Sequence, residues 1–186
     1  KEVKRDIVRL LQDNDAVLKG HFRHFMQKEI FEQPEAIHNT LAGRISRKQL
    51  LEEAFGIDAK AYFDNTASVQ IVACGTSYHA GLVTKLWLEN IARIPCNVDI
   101  ASEYRYRNII VPDKCLFVSI SQSGETADTL AALRLAKVSG YVACLTVCNV
   151  ANSSLVRESE LAVMTYAGRE IGVASTKAFT TQLAVL

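Results

Sequence analysis

The sequence predicts a doubly wound α/β fold, in which helices cover both faces of a five-stranded parallel sheet, with a helical arm at the N-terminus. From about residue 61, short apolar runs alternate with helical patterns. These runs are apolar at nearly every position, which is typical of strands buried on both faces of a parallel sheet. Because crossovers between parallel strands are right-handed, the alternation indicates a doubly wound sheet.

Five apolar runs are predicted as strands, and three helical patterns accompany them. The strands cover residues 69–74, 96–100, 115–120, 141–148 and 161–165. The first helix ends at Pro95, the second covers residues 126–139, and the third begins near Ser175 and continues to the last residue. The side chains expected to share the inward face are Ala80, Val83, Trp87 and Ile91 in the first helix, and Leu130, Leu133 and Val138 in the second.

The N-terminal region differs from the rest because it is charged and helical in pattern. We therefore expect a helical arm over residues 1–60 and a main domain over residues 61–186. An apolar stripe between residues 22 and 30 predicts one helix of the arm, which should end near Pro34. The last helix of the main domain is still running at Leu186, so we expect the domain to be truncated there.

A second short helix of the arm is predicted from a capping pattern. Ser46 followed by Gln49 resembles a capping box, in which each side chain bonds the other residue's backbone N–H. Gly56 is placed to end that helix, since glycine is the usual residue after a helix terminus.

Composition limits the classes of partner. The chain has 186 residues, 49% of them hydrophobic, and a formal net charge of +1, which offers no attraction to nucleic acid or to an anionic membrane. It has no apolar run of about 18 residues that would cross a membrane, and the start at Lys1 lacks the apolar core of a signal peptide. The five cysteines show no C-x-x-C spacing, so we expect buried free thiols and a cytoplasmic protein.

Three loops that follow predicted strands are rich in hydroxyl groups and glycine. They cover residues 74–77 (CGTS), 121–126 (SQSGET) and 168–177 (GREIGVASTK). In doubly wound sheets, ligands bind beyond the carboxyl ends of the strands, near the point where the strand order reverses. All three loops are therefore expected at the ligand-binding edge.

The second of these loops has the chemistry of a phosphate site. A helix N-terminus offers unsatisfied backbone N–H groups and the positive end of the helix dipole. Ser121, Ser123 and Thr126 add O–H donors, Gln122 adds an amide donor, and Gly124 allows close approach of the backbone. Neutral donors can hold a phosphate dianion in this way without a lysine.

Two features could weaken this interpretation. Serine and threonine are also favoured as simple helix caps, without any ligand. However, a cap needs one hydroxyl, whereas this loop has three, and two further hydroxyl-rich loops should lie beside it. Glu125 would repel a phosphate, so we expect its side chain to turn away from the pocket.

Other sites are not supported by the sequence. No strand is followed by the glycine pattern of a dinucleotide fold or of a P-loop. His21 and His24 lie one turn apart without a third metal ligand nearby, which favours a surface helix. His79 lies just after the first loop, where packing is as plausible as ligand contact. Lys177 is a candidate nucleophile or phosphate contact, although a helical lysine more often faces solvent.

Four segments together resemble the isomerising glutamine–fructose-6-phosphate aminotransferases, also called glucosamine-6-phosphate synthases. These segments are residues 24–34 (HFMQKEIFEQP), 74–77 (CGTS), 121–130 (SQSGETADTL) and 172–180 (GVASTKAFT). The resemblance runs from about Gly20 to the end of the chain. The shorter pattern S-x-S-G-x-T alone would indicate only a sugar isomerase (SIS) domain.

The resemblance implies a fold and a ligand. The fold would be the first of two SIS domains, with a flavodoxin-like strand order. The family converts fructose 6-phosphate and glutamine into glucosamine 6-phosphate and glutamate without a metal or an organic cofactor, so fructose 6-phosphate, glucosamine 6-phosphate or a related hexose phosphate is the expected ligand. The residues implied to bind it are Ser121, Gln122, Ser123 and Thr126 at the phosphate, and Thr76, Ser77, Val173 and Ser175 at the sugar.

The resemblance also implies that catalysis needs more than this chain. The family's glutaminase domain would precede residue 1, and the acid and base residues would belong to a second SIS domain. We therefore expect no catalytic residue here, and a homodimer as in the family. Two alternatives remain open: the sugar-phosphate-sensing domain of a regulator, and a stand-alone phosphosugar isomerase.

Overall fold

A computed structural model describes residues 18–46 and 49–186, so the first part of the predicted arm lies outside the described residues. The five strands form one parallel sheet in the order β2-β1-β3-β4-β5, which confirms the predicted fold class and the flavodoxin-like order. The strands are β1 (Ser68–Ala73), β2 (Cys96–Ile100), β3 (Cys115–Ser121), β4 (Cys144–Cys148) and β5 (Leu161–Met164).

The helices follow the predicted alternation with the strands, and three short ones, α2, α4 and α6, were not predicted. Their bounds are α1 (Phe25–Leu41), α2 (Ala59–Asp64), α3 (Gly75–Trp87), α4 (Ala101–Tyr104), α5 (Ala127–Ala136), α6 (Ser154–Glu158) and α7 (Lys177–Val185). The fourth strand begins at Cys144 and not at residue 141 as predicted.

The core lies on both faces of the sheet, because successive side chains of a strand point to opposite faces. Ile71 and Val118 belong to one buried cluster. Their neighbours Val72 and Phe117 belong to the cluster on the other face, together with Leu133 of α5. This two-sided burial is why β1, β3 and β4 are mostly apolar, whereas the edge strand β2 carries Asn97 and Asp99 and is only partly buried.

The inward faces of two helices were predicted only in part: Ala80 of α3 and Leu133 of α5 are buried as expected, whereas other positions are not. In α3 the buried residues are Ala80, Gly81 and Thr84. A Cβ at Gly81 would lie 2.9 Å from a side-chain carbon of Ile71, so small residues let this helix approach the sheet closely. Ile91, expected on the inward face, is 78% exposed because the chain leaves the α-helix after Trp87 and forms a π turn.

The predicted inward position of Val138 is also wrong. The helix α5 ends at Ala136, two positions earlier, and Val138 is 83% exposed. Leu133, within the regular helix, is fully buried as expected.

Pro34 does not end the first described helix, because α1 continues to Leu41. A proline inside a helix has no N–H, which leaves the carbonyl four residues earlier without its usual donor. The Gln33 side chain donates from Nε2 to that carbonyl, on Ile30, at 3.0 Å. This local replacement explains why the predicted boundary was wrong.

The described residues after Ser46, which resume at Gln49, do not form the predicted helix. The Ser46 hydroxyl accepts a hydrogen bond from the Gln49 backbone N–H at 3.1 Å, but the two flanking residues, Ile45 and Leu50, form an antiparallel bridge. The pair therefore lies within an antiparallel pairing of the chain and does not cap a helix. Within the described residues 49–56, the only helical structure is a single 3₁₀ turn over Glu52–Phe55.

Helix α1 packs along α7 and near the end of β5. Lys177 of α7, expected to face solvent, is 4% exposed, and its ammonium lies 2.7 Å from the Glu32 carboxylate of α1. Thr40 and Arg44 donate hydrogen bonds to the backbone carbonyls of Thr165 and Met164, respectively. Polar contacts therefore hold the arm helix against the main domain.

The ion pair between α1 and α7 can be tested by stability. Removing one partner of a buried pair leaves the other charge uncompensated, which costs about 3–5 kcal/mol for a fully buried pair. Because the Glu32 side chain is 30% exposed, we expect Glu32→Gln to lower the free energy of unfolding by about 2–3 kcal/mol. Urea denaturation measures the change, with the exposed Glu35→Gln on the same helix as control. Equal unfolding midpoints for both variants would contradict it.

Candidate functional site

A cavity of about 270 Å³ opens at the carboxyl edge of the sheet. It lies beyond β1 and β3, where the strand order reverses, which is the position expected for a ligand in this fold. Cys74, Ile120, Glu170 and Gly172 line it together with the whole predicted set: Thr76, Ser77, Ser121, Gln122, Ser123, Thr126, Val173 and Ser175. Three separate loops are thus brought to one pocket.

The loop between β3 and α5 is shaped by its own hydroxyl oxygens. Ser121 Oγ accepts a hydrogen bond from the Gly124 N–H at 3.0 Å, and it lies 3.3 Å from Thr126 Oγ1. Ser123 Oγ accepts from the Glu125 N–H at 3.2 Å. A hydroxyl that accepts in this way keeps its own proton for donation. The serines therefore fix the turn and can still donate to a bound anion.

The capping explanation does not account for Thr126. This residue occupies the N-cap position of α5, yet its side chain makes no capping hydrogen bond. The first N–H groups of any α-helix lack an intrahelical partner. The amino end of α5 therefore presents its positive dipole at a pocket lined with hydroxyl groups.

Both the backbone conformation at position 124 and the lack of space beside it require glycine there. The φ of 68° at Gly124 lies in the left-handed region. An added Cβ would lie 2.1 Å from Ser153 Oγ and 2.7 Å from Cys148 Sγ, so no side chain fits. The loop is pressed against the chain that leads into α6.

Glu125 turns away from the pocket, as predicted. Its carboxylate accepts a hydrogen bond from the Ser154 N–H, the first residue of α6, at 2.7 Å. This backbone hydrogen bond lowers the pKa of Glu125 below its ordinary value. The carboxylate caps a neighbouring helix and does not face the pocket.

The first loop brings a second helix terminus to the pocket. Thr76 and Ser77 lie in the first turn of α3, whose N-cap residue, Cys74, makes no side-chain capping bond. Ser77 Oγ accepts a hydrogen bond at 3.0 Å from the side chain of Gln182, a buried residue of α7. Sequence reasoning missed Gln182, because nothing local distinguishes it from any other helical glutamine.

Glu170, in the third loop, also lines the pocket and was missed. One of its oxygens accepts hydrogen bonds from the backbone N–H groups of Thr176 at 2.8 Å and Ala178 at 3.2 Å. The other lies 3.4 Å from the Ser175 hydroxyl, which donates to it. Glu170 therefore caps α7, so this helix terminus is already neutralised. An acidic residue placed shortly before a predicted helix start is the signal that could have identified it.

The pocket is thus electrostatically asymmetric. The amino ends of α3 and α5 and the neutral hydroxyl groups favour an anion on one side. The Glu170 carboxylate lies on the wall formed by the third loop and favours hydroxyl or N–H donors. Among the described residues that line the cavity there is no lysine or arginine.

Two residues with open roles lie outside this pocket. His79 is exposed and packs edge-on against Tyr78, with ring centroids 5.6 Å apart. Lys177 lines a neighbouring cavity between α1 and the loop after β5.

The cysteines are free, as predicted, and all except Cys74 are buried. Burial raises the pKa of the Cys96 and Cys144 thiols to about 12, and it also raises the pKa of Cys115 and Cys148. These four thiols are therefore protonated at neutral pH and poorly reactive.

Comparison with known proteins identifies similar sequences along the whole chain. It is 58% identical over 185 residues to glutamine--fructose-6-phosphate aminotransferase [isomerizing] from Haemophilus influenzae, a match that covers 100% of this chain and 30% of that protein. The chain therefore spans about 30% of the length of the curated relatives it matches.

A helix that crosses a membrane must be both long and apolar, and none of the described helices meets both requirements.

Solved structures show the same architecture. The C-terminal domain of glucosamine-fructose-6-phosphate aminotransferase from Francisella tularensis has a TM-score of 0.87 and 56% identity, over 90% of this chain and 47% of that one. A putative phosphosugar isomerase from Silicibacter pomeroyi has a TM-score of 0.72 and 28% identity, over 86% of this chain and 47% of that one.

The described architecture and these similarities agree with a family assignment. The family model of the SIS domain matches residues 62–186, which is most of the chain and includes all five strands and all three loops of the pocket. The chain belongs to the SIS domain family.

Proposed function

We propose that this chain is the sugar-phosphate-binding part of an isomerising glutamine–fructose-6-phosphate aminotransferase. Its ligand is fructose 6-phosphate, glucosamine 6-phosphate or a related hexose phosphate. The observation that carries the proposal is the pocket, where neutral donors meet the uncapped amino ends of two helices. The identity of 58% to the aminotransferase, against 28% to the phosphosugar isomerase, favours this family over the alternatives.

The phosphate would bind at the loop of residues 121–126. Its oxygens can accept hydrogen bonds from the hydroxyls of Ser121, Ser123 and Thr126, from the Gln122 amide and from the free N–H groups at the start of α5. Ser121 is buried, its oxygen accepts from the Gly124 N–H, and its hydroxyl pairs with Thr126 Oγ1, so the two hydroxyls share one proton and leave the other for a bound anion. This arrangement is built before a ligand arrives.

The sugar would extend towards the first and third loops, where Thr76, Ser77, Val173 and Ser175 lie. The Val173 side chain is fully exposed, so this residue would contribute through its backbone. Ser175 is oriented by Glu170, and the same carboxylate repels a phosphate from this side of the pocket. The charge asymmetry would therefore place the phosphate at one end and the sugar hydroxyls at the other.

The role of this chain in the reaction would be binding and orientation. Isomerisation requires a base within hydrogen-bond reach of the substrate carbon. The Glu170 carboxylate already accepts hydrogen bonds from two backbone N–H groups and the Ser175 hydroxyl, and no histidine or lysine lines the pocket in the described part of the chain. We assign no catalytic residue here and propose that the acid and base groups come from other parts of the enzyme.

The proposal extends to organisation and location. Residues 1–60 would form the arm that joins this domain to a glutaminase domain, and residues 61–186 would be the first SIS domain. We propose a cytoplasmic location, supported by five free cysteines and no disulfide among the described residues.

Binding of a sugar phosphate is the direct test. We expect fructose 6-phosphate or glucosamine 6-phosphate to give a saturable calorimetric signal with the 186-residue chain, because most of the binding free energy comes from the phosphate contacts. Fructose should give none at the same concentration. Equal signals for fructose and fructose 6-phosphate would refute the proposed phosphate site.

The phosphate loop can be tested by removing two donors. Ser123→Ala combined with Thr126→Ala should weaken fructose 6-phosphate binding by about 2–4 kcal/mol, because two charge-assisted hydrogen bonds are lost. A matched control is Ser139→Ala with Thr66→Ala, since each hydroxyl donates to a carbonyl of the helix that ends just before it and neither residue lines the pocket. Calorimetry compares the two variants, and unchanged affinity in the first would remove this loop from the site.

We also propose a homodimer, supported by exposed apolar side chains at the end of α3 and in the turn after it. Leu86, Trp87 and Ile91 are 56%, 38% and 78% exposed. Such side chains favour burial against another surface. Sedimentation velocity of the 186-residue chain should show a dimer that dissociates when Ile91 is replaced by Glu. A monomer at every concentration would contradict the proposal for this chain.

A further inference from the structure

Helix α1 carries a buried carboxylate that holds one side of the candidate pocket. Glu29 is 2% exposed. Its Oε1 accepts hydrogen bonds from the backbone N–H groups of Ile171 at 2.6 Å and Gly172 at 2.8 Å. Gly172 lines the pocket, and so does the next residue, Val173.

This contact is not explained by stability alone. Burying a carboxylate is costly unless its oxygens are satisfied, and an apolar residue of similar size is often at least as stabilising. The other oxygen, Oε2, is buried and has no hydrogen-bond partner among the described residues. Glu29 therefore retains a partly satisfied buried carboxylate at a point where it shapes two adjacent peptide units.

The Glu29 carboxylate also occupies the space that a side chain at position 172 would need. A Cβ added at Gly172 would lie 2.5 Å from Glu29 Oε2, closer than any real contact of that kind. Its backbone does not lie in the left-handed region, so conformational freedom is not the reason for glycine here. The absent side chain makes room for the carboxylate.

The third loop is thus held at both ends by carboxylates. Glu29 binds the N–H groups of residues 171 and 172, and Glu170 binds those of Thr176 and Ala178. Val173 and Ser175, which line the pocket, lie between these two points. The hydrogen bonds to Glu29 and Glu170 fix the backbone between them, and this is the part of the loop that would contact the sugar.

We propose that Glu29 is a positioning residue, which acts from the arm helix to hold the 171–173 backbone in the shape that contacts the sugar of a bound hexose phosphate. This inference rests on the proposed function of the pocket. Through Glu29, helix α1 contributes to the sugar site, although this helix lies outside the residues 62–186 that match the family model. The phosphate loop does not touch Glu29, so the two halves of the ligand should respond differently to its removal.

The test compares two ligands in calorimetry on the 186-residue chain. We expect Glu29→Ala to weaken fructose 6-phosphate binding about tenfold or more, while binding of inorganic phosphate stays unchanged. Glu29→Gln keeps the accepting oxygen and should restore most of the affinity. Glu35→Ala, at an exposed position of the same helix, is the control. An equal loss for both ligands, or no loss for either, would overturn the proposal.

A double-mutant cycle adds a second measurement. Gly172→Ala alone should weaken fructose 6-phosphate binding, because its methyl group displaces the carboxylate. In the Glu29→Ala background the same change should cost little, since the clash is gone, so the two effects should not add. Additive losses would overturn the proposed link between these residues.

Amide hydrogen exchange separates this inference from the proposed function. The amides of Ile171 and Gly172 should be protected in the unaltered chain and in Glu35→Ala, and should exchange faster in Glu29→Ala. If the unaltered chain binds no hexose phosphate, the proposed function fails, and the role of Glu29 at a sugar fails with it. If it binds normally and exchange is unchanged in Glu29→Ala, only the role of Glu29 is refuted.

Discussion

The site depends on the supply of unsatisfied backbone N–H groups at the point where the sheet reverses its strand order. The strands β1 and β3 are neighbours; β1 leads into α3 through Cys74, and β3 leads into α5 through residues 122–126. The two helix termini therefore open onto the same space, and neither N-cap residue closes its helix with a side chain. Because the dipoles and the free donors converge, this corner attracts an anion without a basic residue.

Carboxylates near the same pocket have the opposite effect on backbone N–H groups, because they satisfy these groups instead of leaving them open to a ligand. Glu125, Glu170 and Glu29 each accept hydrogen bonds from backbone N–H groups that would otherwise compete for the ligand or remain unpaired. The first of these caps α6, the second caps α7, and the third holds the loop from the side of α1. The amino ends of α3 and α5 carry no side-chain cap from their N-cap residues and face the pocket, and Asp128 in the first turn of α5 is paired with Arg105.

The arm helix α1 contacts both the main domain and a loop of the pocket. The Glu32–Lys177 ion pair and the backbone contacts of Thr40 and Arg44 hold α1 against α7 and the end of β5. Glu29 lies on the same helix and contacts the third loop. A helix that looked like a connector in the sequence is therefore packed where it can affect the geometry of the pocket.

Local pattern was sufficient for most of the strands, for the three loops and for the hydroxyl-rich phosphate loop, because each depends on a short stretch of chain, whereas Thr76, Ser77, Val173 and Ser175 were assigned through the family resemblance. A strand buried on both faces must be apolar throughout, and a glycine such as Gly124 with hydroxyl neighbours marks a loop that something approaches closely. The strand order also follows from the family resemblance. Whether the eight predicted pocket residues bind a sugar phosphate is still a prediction.

Only the tertiary structure decided which partners the longer-range groups find. Glu29, Glu170, Gln182 and Lys177 look like ordinary helical or loop residues in the sequence, yet they meet groups far along the chain or in the pocket itself. Pro34 lies inside a helix because the Gln33 side chain replaces the missing donor. Composition and periodicity determine which elements form, whereas hydrogen bonds between elements depend on how those elements pack, and that cannot be read from any single segment.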